Sequence, residues 1–194
     1  MSVVRRSSVL FLVLAVLLTV LLCSCGETNE LLRYDNALAA LPSGDAVVKT
    51  SLATELGELT AEYTAHTSDG TVSVTFERDT LSPITDKDSG AQLIVREEGS
   101  AEIASDGTVT GSLGTLVVSL LLGRIELDTE LFTYTESDGI LTLSVKADNT
   151  LAVFGTDIGY DVTAVITLTD GRISGITLEY TAAGGAAKAE CEFN

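Results

Sequence analysis

Beyond Gly44, apolar and polar side chains alternate with a period of two along most of the chain. The stretches "AVVKTSLATEL", "ELTAEYTAHT", "GTVSVTFERD", "AQLIVREEG", "ILTLSVKAD", "YDVTAVITLTDG", "RISGITLEYTA" and "AAKAECEFN" all show it. Thr, Val and Ile at these positions suit a pleated surface with one buried face, so each stretch predicts a strand. Asp-Gly pairs stand at 69–70, 106–107, 138–139 and 170–171. Each signals a tight hairpin, because both central residues of a type I′ turn need positive φ. No long helical pattern separates the strands, which disfavours parallel crossovers and leaves an antiparallel meander.

Three stretches depart from period two. In "GETNELLRYDNALAALPSG", Leu31, Leu32, Tyr34, Ala37 and Leu38 fall at helical spacing, and Pro42 and Gly44 end the pattern. "SLGTLVVSLLLGRIEL" (112–127) is apolar enough for a buried helix or a central strand, and periodicity does not choose between them. "DNTLAVFG" (148–155) reads as a short helix, with Asp148 or Asn149 as N-cap, Leu151, Val153 and Phe154 turned inward and Gly155 as C-cap.

"SDGTVSVTFERD" (68–79) aligns without gaps on "SDGILTLSVKAD" (137–148), and "DGTVTG" (106–111) matches "DGRISG" (170–175). Internal duplication and shared turn chemistry both account for this. Either way the chain reads as two similar β units sharing a sheet.

The first two dozen residues have a different character. Arg5 and Arg6 precede "VLFLVLAVLLTVLL" (9–22), 14 apolar or near-apolar residues. That is short for a membrane span, which needs about 20, and fits the core of a secretory signal. The run closes on "LCSC", Leu22-Cys23-Ser24-Cys25. This resembles the bacterial lipobox, with an aliphatic residue three positions before the cut, small residues next, then the obligatory cysteine. Cys23 departs from the usual Ala, Ser or Thr there but is small. The resemblance implies recognition by signal peptidase through Leu22, Cys23 and Ser24, loss of residues 1–24, and a diacylglyceryl group on Cys25. Two acyl chains give a stable anchor where one gives marginal binding. Gly26 follows Cys25, so no Asp is present as in the inner-membrane retention signal of some two-membrane bacteria.

The expected organisation is a signal peptide over 1–24, a lipidated cysteine with tether and short helix over 25–44, and one antiparallel β-rich domain over 45–194. Of 194 residues, 170 would remain after processing, enough to bury a core. Without the two leader arginines, the 11 basic residues fall to 9 against 28 acidic ones, a net charge near −19. Such a field repels nucleic acid, so no nucleic-acid partner is expected. Cys191 would be the one cysteine left beside Cys25, and its alternating context predicts a small buried side chain.

The residues argue against most catalytic chemistry. His66 is the only histidine and reads as a solvated residue beside a turn. No G-x-S-x-G elbow, P-loop or dinucleotide glycine pattern occurs, and His and Cys are too few for a zinc site. Acid pairs abound by chance among 28 carboxylates, but the chain has no Trp for a sugar platform. "DKDSGAQLIVRE" (86–97) sets Asp86, Asp88 and Glu97 at positions 1, 3 and 12 of an EF-hand-like loop. Position 6 is Ala91 where the loop wants Gly, and "AQLIV" reads as a strand, so a solvated hairpin loop competes with calcium binding. No cofactor and no enzymatic activity are expected.

"LTLSVKADNTLAVFG" followed by "DVTAVITLTDGRISGITLEYTAAGGAAKAECEF", together with the lipobox, resembles LolA/LppX-like lipoproteins. It also resembles uncharacterised lipoproteins of Gram-positive, clostridia-like bacteria. The resemblance implies a mainly β (α+β) fold: a curved antiparallel sheet or half-barrel with one to three short helices against its concave face. It implies export and lipid anchoring on the outer face of the cell membrane. Some relatives carry a lipid there, which leaves two roles open, the holding of a hydrophobic or amphiphilic ligand and a structural or interaction role toward envelope proteins. An enzyme built on an acid pair is the third reading.

Overall fold

The computed structural model describes residues 30–41, 44–86, 92–182 and 184–194. Helix α1 covers residues 30–39. It buries Leu31, Tyr34, Ala37 and Leu38, whereas Leu32 is exposed, being one residue and about 100° of helical turn away from Leu31. The strands are β1 (Asp45–Thr54), β2 (Gly57–Ser68), β3 (Thr71–Thr85), β4 (Gln92–Ile103), β5 (Val109–Thr110), β6 (Phe132–Ser137), β7 (Ile140–Val145), β8 (Val162–Thr169), β9 (Arg172–Ala182) and β10 (Gly185–Phe193). They form one open antiparallel sheet in the order β5-β4-β3-β2-β1-β10-β9-β8-β7-β6. Two five-stranded meanders thus meet where the first strand pairs with the last, in a register that sets Val48 against Cys191. The blocks β5-β4-β3-β2 and β9-β8-β7-β6 run in the same order along the sheet, and each holds one copy of both repeated stretches.

Alternation puts one residue of each pair on an inner, apolar face. Val72, Val74 and Phe76 of β3 are buried there, as are Leu141, Leu143 and Val145 of β7 and Val162, Ala164 and Ile166 of β8. In β9 the buried positions run Ile173, Ile176, Leu178, because the register slips between Thr167 and Leu168 of the partner strand. The extra residue is a bulge. Its Ser174 hydroxyl lies 2.9 Å from that of Thr169.

The ambiguous apolar run is a helix, α2 (Thr115–Leu121), burying Val117, Val118, Leu120 and Leu121. Such i, i+1, i+3, i+4 burial belongs to a helix enclosed on most sides. The last helix, α3 (Thr150–Phe154), follows a single 3-10 turn, Ala147–Asn149. It buries Val153 and Phe154 as expected, but Leu151 is 60% exposed. Asn149 precedes the helix without capping it; its amide donates to the Leu131 carbonyl at 2.7 Å. Thr150, fully buried, holds the turn by donating to the Ala147 carbonyl at 2.9 Å and accepting from the Ile158 N–H at 3.1 Å. Gly155 closes α3 in the left-handed conformation, φ +66°, against Ser119 of α2. Helices α1, α2 and α3 share one core with the inner face of the sheet.

Three Asp-Gly pairs adopt the expected turn, with positive φ at Asp69, Asp138, Asp170 and the glycine after each. The fourth differs. Only Gly107 has positive φ, and the loop closes through Ala104 N–H to Thr108 and Gly107 N–H to Ala104, while the Asp106 carboxylate accepts the Thr108 N–H at 2.8 Å. All four pairs lie at the same end of the sheet, since they join β2–β3, β4–β5, β6–β7 and β8–β9.

Candidate interaction surface

Leu22, Cys23, Ser24 and Cys25 lie outside the described residues, as does Asp88. Asp86 follows the last residue of β3, and Glu97 stands within β4, where its carboxylate accepts from Arg78 Nε at 2.9 Å. Positions 7–12 of the calcium-loop pattern, Gln92–Glu97, are therefore extended strand. Among the described residues, no three His, Cys, Asp or Glu side chains converge as metal ligands. His66 is exposed on β2 and pairs with Asp45 at the start of β1. Cys191 is buried to 1% exposure, and burial, with the Glu192 charge beside it, pushes its thiol up to about 12.

The inner face is filled where the helices cover it. Tyr34, Leu120, Leu121 and Phe154 are each within 1% of full burial. The hollow lined by Ala46, Ala65, Val72 and Leu121 measures about 30 Å³. That is room for a water or two, against the several hundred Å³ of ordinary ligand sites. Hollows of about 590 and 230 Å³ open instead on the outer, polar face.

Those two hollows share Glu62 and Arg96. Arg96 donates to Glu77 at 3.1 Å and Asp79 at 3.0 Å. Asp79 also accepts the Thr60 hydroxyl at 2.7 Å and the Thr60 N–H at 3.0 Å. These hydrogen bonds, and then Arg96, hold its carboxyl down to about 2. Across the strands the register sets Glu62 opposite Glu77 and Glu77 opposite Glu98, a row of three glutamates from β2 to β4.

The row ends at an edge that no described strand covers. β5 pairs with β4 only at Glu102 and Ile103. From Gln92 to Gly99, β4 has β3 on one side and no described strand on the other. Leu93, Ile94 and Val95 are exposed there at 45%, 37% and 42%. The period-two pattern predicts an ordinary half-buried strand here. Three consecutive apolar residues, which no period-two pattern explains, were the available signal of a different environment.

No protein-family model matches the chain, and no curated protein matches it. Among solved structures, a redesigned β-barrel, mFAP1, bound to DFHBI is similar at 14% identity over 81% of this chain and 99% of that one, with a TM-score of 0.24.

Proposed function

We propose that this chain is an extracytoplasmic lipoprotein, held on the outer face of the cell membrane by diacylglyceryl-Cys25, whose curved sheet or half-barrel is a non-enzymatic interaction module of the envelope. The lipobox-like "LCSC" supports the address. Four residues separate Cys25 from Glu30, five Cα–Cα steps that reach at most ~18 Å, so the domain would work close to the membrane. The observation that carries the module reading is the filled inner face, with Tyr34, Leu120, Leu121 and Phe154 occupying the space a carried ligand would need.

Replacing Cys25 with Ala should release the protein from the membrane fraction, and continued retention of a processed chain sinks the anchoring. Crosslinking in cells should capture a defined envelope protein; recovery of the chain alone argues against a module.

A second reading keeps a hydrophobic or amphiphilic ligand. It draws on Leu52, Leu59 and Ala61, which lie toward the far end of the hairpins and are only partly buried. Native mass spectrometry of the purified protein would then show a bound lipid.

A further inference from the structure

The glutamate row ends at the edge of β4 that no described strand pairs, and together they specify an occupant. Like charges directly opposite one another on neighbouring strands destabilise a sheet. Glu62, Glu77 and Glu98 make two such pairs in succession; Lys49 of β1 faces Glu62 at one end of the row, and Arg96 is already engaged by Glu77 and Asp79, which leaves Glu98 at the other end. The next place in the row, beyond Glu98, belongs to whatever strand would lie beside β4.

We infer that the Gln92–Gly99 edge of β4 binds an extended segment of a partner protein, added to the sheet as a further strand, whose outward residues include a Lys or Arg opposite Glu98 and whose inward residues are apolar. This rests on the envelope-module reading above. Edge addition gives affinity through backbone hydrogen bonds and selectivity through alternate side chains. On the outer face, a Lys or Arg of the segment lies opposite Glu98 and over the hollow of about 590 Å³ that Glu62, Glu77 and Glu98 help line. Apolar residues of the segment cover the exposed side chains of Leu93 and Val95.

Charge selects the partner among the alternatives. A second copy of this chain brings another net charge of −17 to the same edge and sets glutamates against glutamates. Anionic lipid and nucleic acid meet the same repulsion. Long, apolar open edges are normally blunted with lysine or proline. Gln92–Val95 carries no charge and no proline, and the charges of this edge, Arg96, Glu97 and Glu98, follow it.

The test uses the full chain in detergent and two labelled ten-residue probes, one alternating Lys with Val and one alternating Glu with Val. The Lys–Val probe should bind, protect the amides of Gln92–Gly99 from hydrogen exchange, and lose at least tenfold in affinity between 50 and 500 mM NaCl. The Glu–Val probe should not bind. Glu98→Lys removes a like-charge pair, so it should fold, and it should weaken the Lys–Val probe at least tenfold while admitting the Glu–Val probe. Protection that falls elsewhere, or Lys–Val binding unchanged by Glu98→Lys, overturns the proposal. So does a concentration-dependent dimer that alone protects this edge, or a bound lipid that does so. Measuring probe binding on Cys25→Ala as well separates the two readings: membrane retention of that variant defeats the anchoring, whereas its probe binding bears only on the edge.

Discussion

Phe76 lies across the backbone of its cross-strand partner Gly99, so that a methyl group built on Gly99 would overlap the aromatic ring. Tyr63 packs on the same ring at 5.7 Å between centroids, and the Arg78 guanidinium sits 4.9 Å from its centre. Glycine is a poor strand residue by propensity, and an aromatic neighbour that covers it restores the lost packing. Gly99→Val should therefore destabilise by about 1–3 kcal/mol, the cost of overpacking, although valine is the better strand former. Urea unfolding measures it, and an unchanged or raised midpoint would show that Phe76 can move aside.

The Asp-Gly turns should respond unequally to the same change. Gly171 has φ +77° and open space around a built Cβ, so Gly171→Ala should cost only the left-handed backbone penalty of about 1–2 kcal/mol. Gly139 has φ +81°, and a Cβ there would stand 2.8 Å from the Leu168 carbonyl oxygen. Gly139→Ala should lose roughly 1–3 kcal/mol more, because backbone must shift. Equal losses in thermal or denaturant unfolding would refute the distinction.

Asp79 should titrate at about 2, against an ordinary 3.8. Its folded value is depressed, so its contribution to stability is present above about pH 4 and is lost as pH falls toward 2. The largest cause is the Thr60 hydroxyl, ahead of Arg96. In carboxyl-carbon NMR titrations, Thr60→Val should raise the Asp79 value further than Arg96→Gln does. The reverse order would mean the ion pair dominates.

The Cys191 thiol should stay unalkylated in the folded protein at pH 8, and peptide mapping should find it modified only on global unfolding. Its folded value is raised, from 9.0 to about 12. The unfolded chain therefore ionises first as pH rises, and stability is intact below pH 9 and lost between about 9 and 12. The slope there is ~1.4 kcal/mol per pH unit. Alkylation faster than unfolding would place the sulfur at the surface.

Much of the fold was legible in local pattern. Period two found the strands, and Asp-Gly found the hairpins at 69–70, 138–139 and 170–171, because the energetics of a type I′ turn lie within two residues. Helix α3 was legible from Gly155. The errors lie at Leu32 and Leu151, apolar residues that helical spacing counted inward and that face solvent. Helical spacing alone does not show where a buried stripe ends. The candidate surface was less legible. Leu93–Val95 belong to a stretch whose pattern reads as a half-buried strand, and only the strand order leaves that edge of β4 without a described neighbour.

The sequence by itself determined which segments are extended, where three of the tight turns fall, and that the chain carries a large excess of acidic residues. These follow from side-chain periodicity, backbone sterics and charge, which act between near neighbours. The tertiary structure alone decided that the first strand pairs with the last, that residues 115–121 are helix, that three glutamates line up across β2, β3 and β4, and that no described strand lies beside β4 beyond Glu98. Those outcomes depend on contacts between residues far apart in the chain, whose closure and register no local pattern encodes.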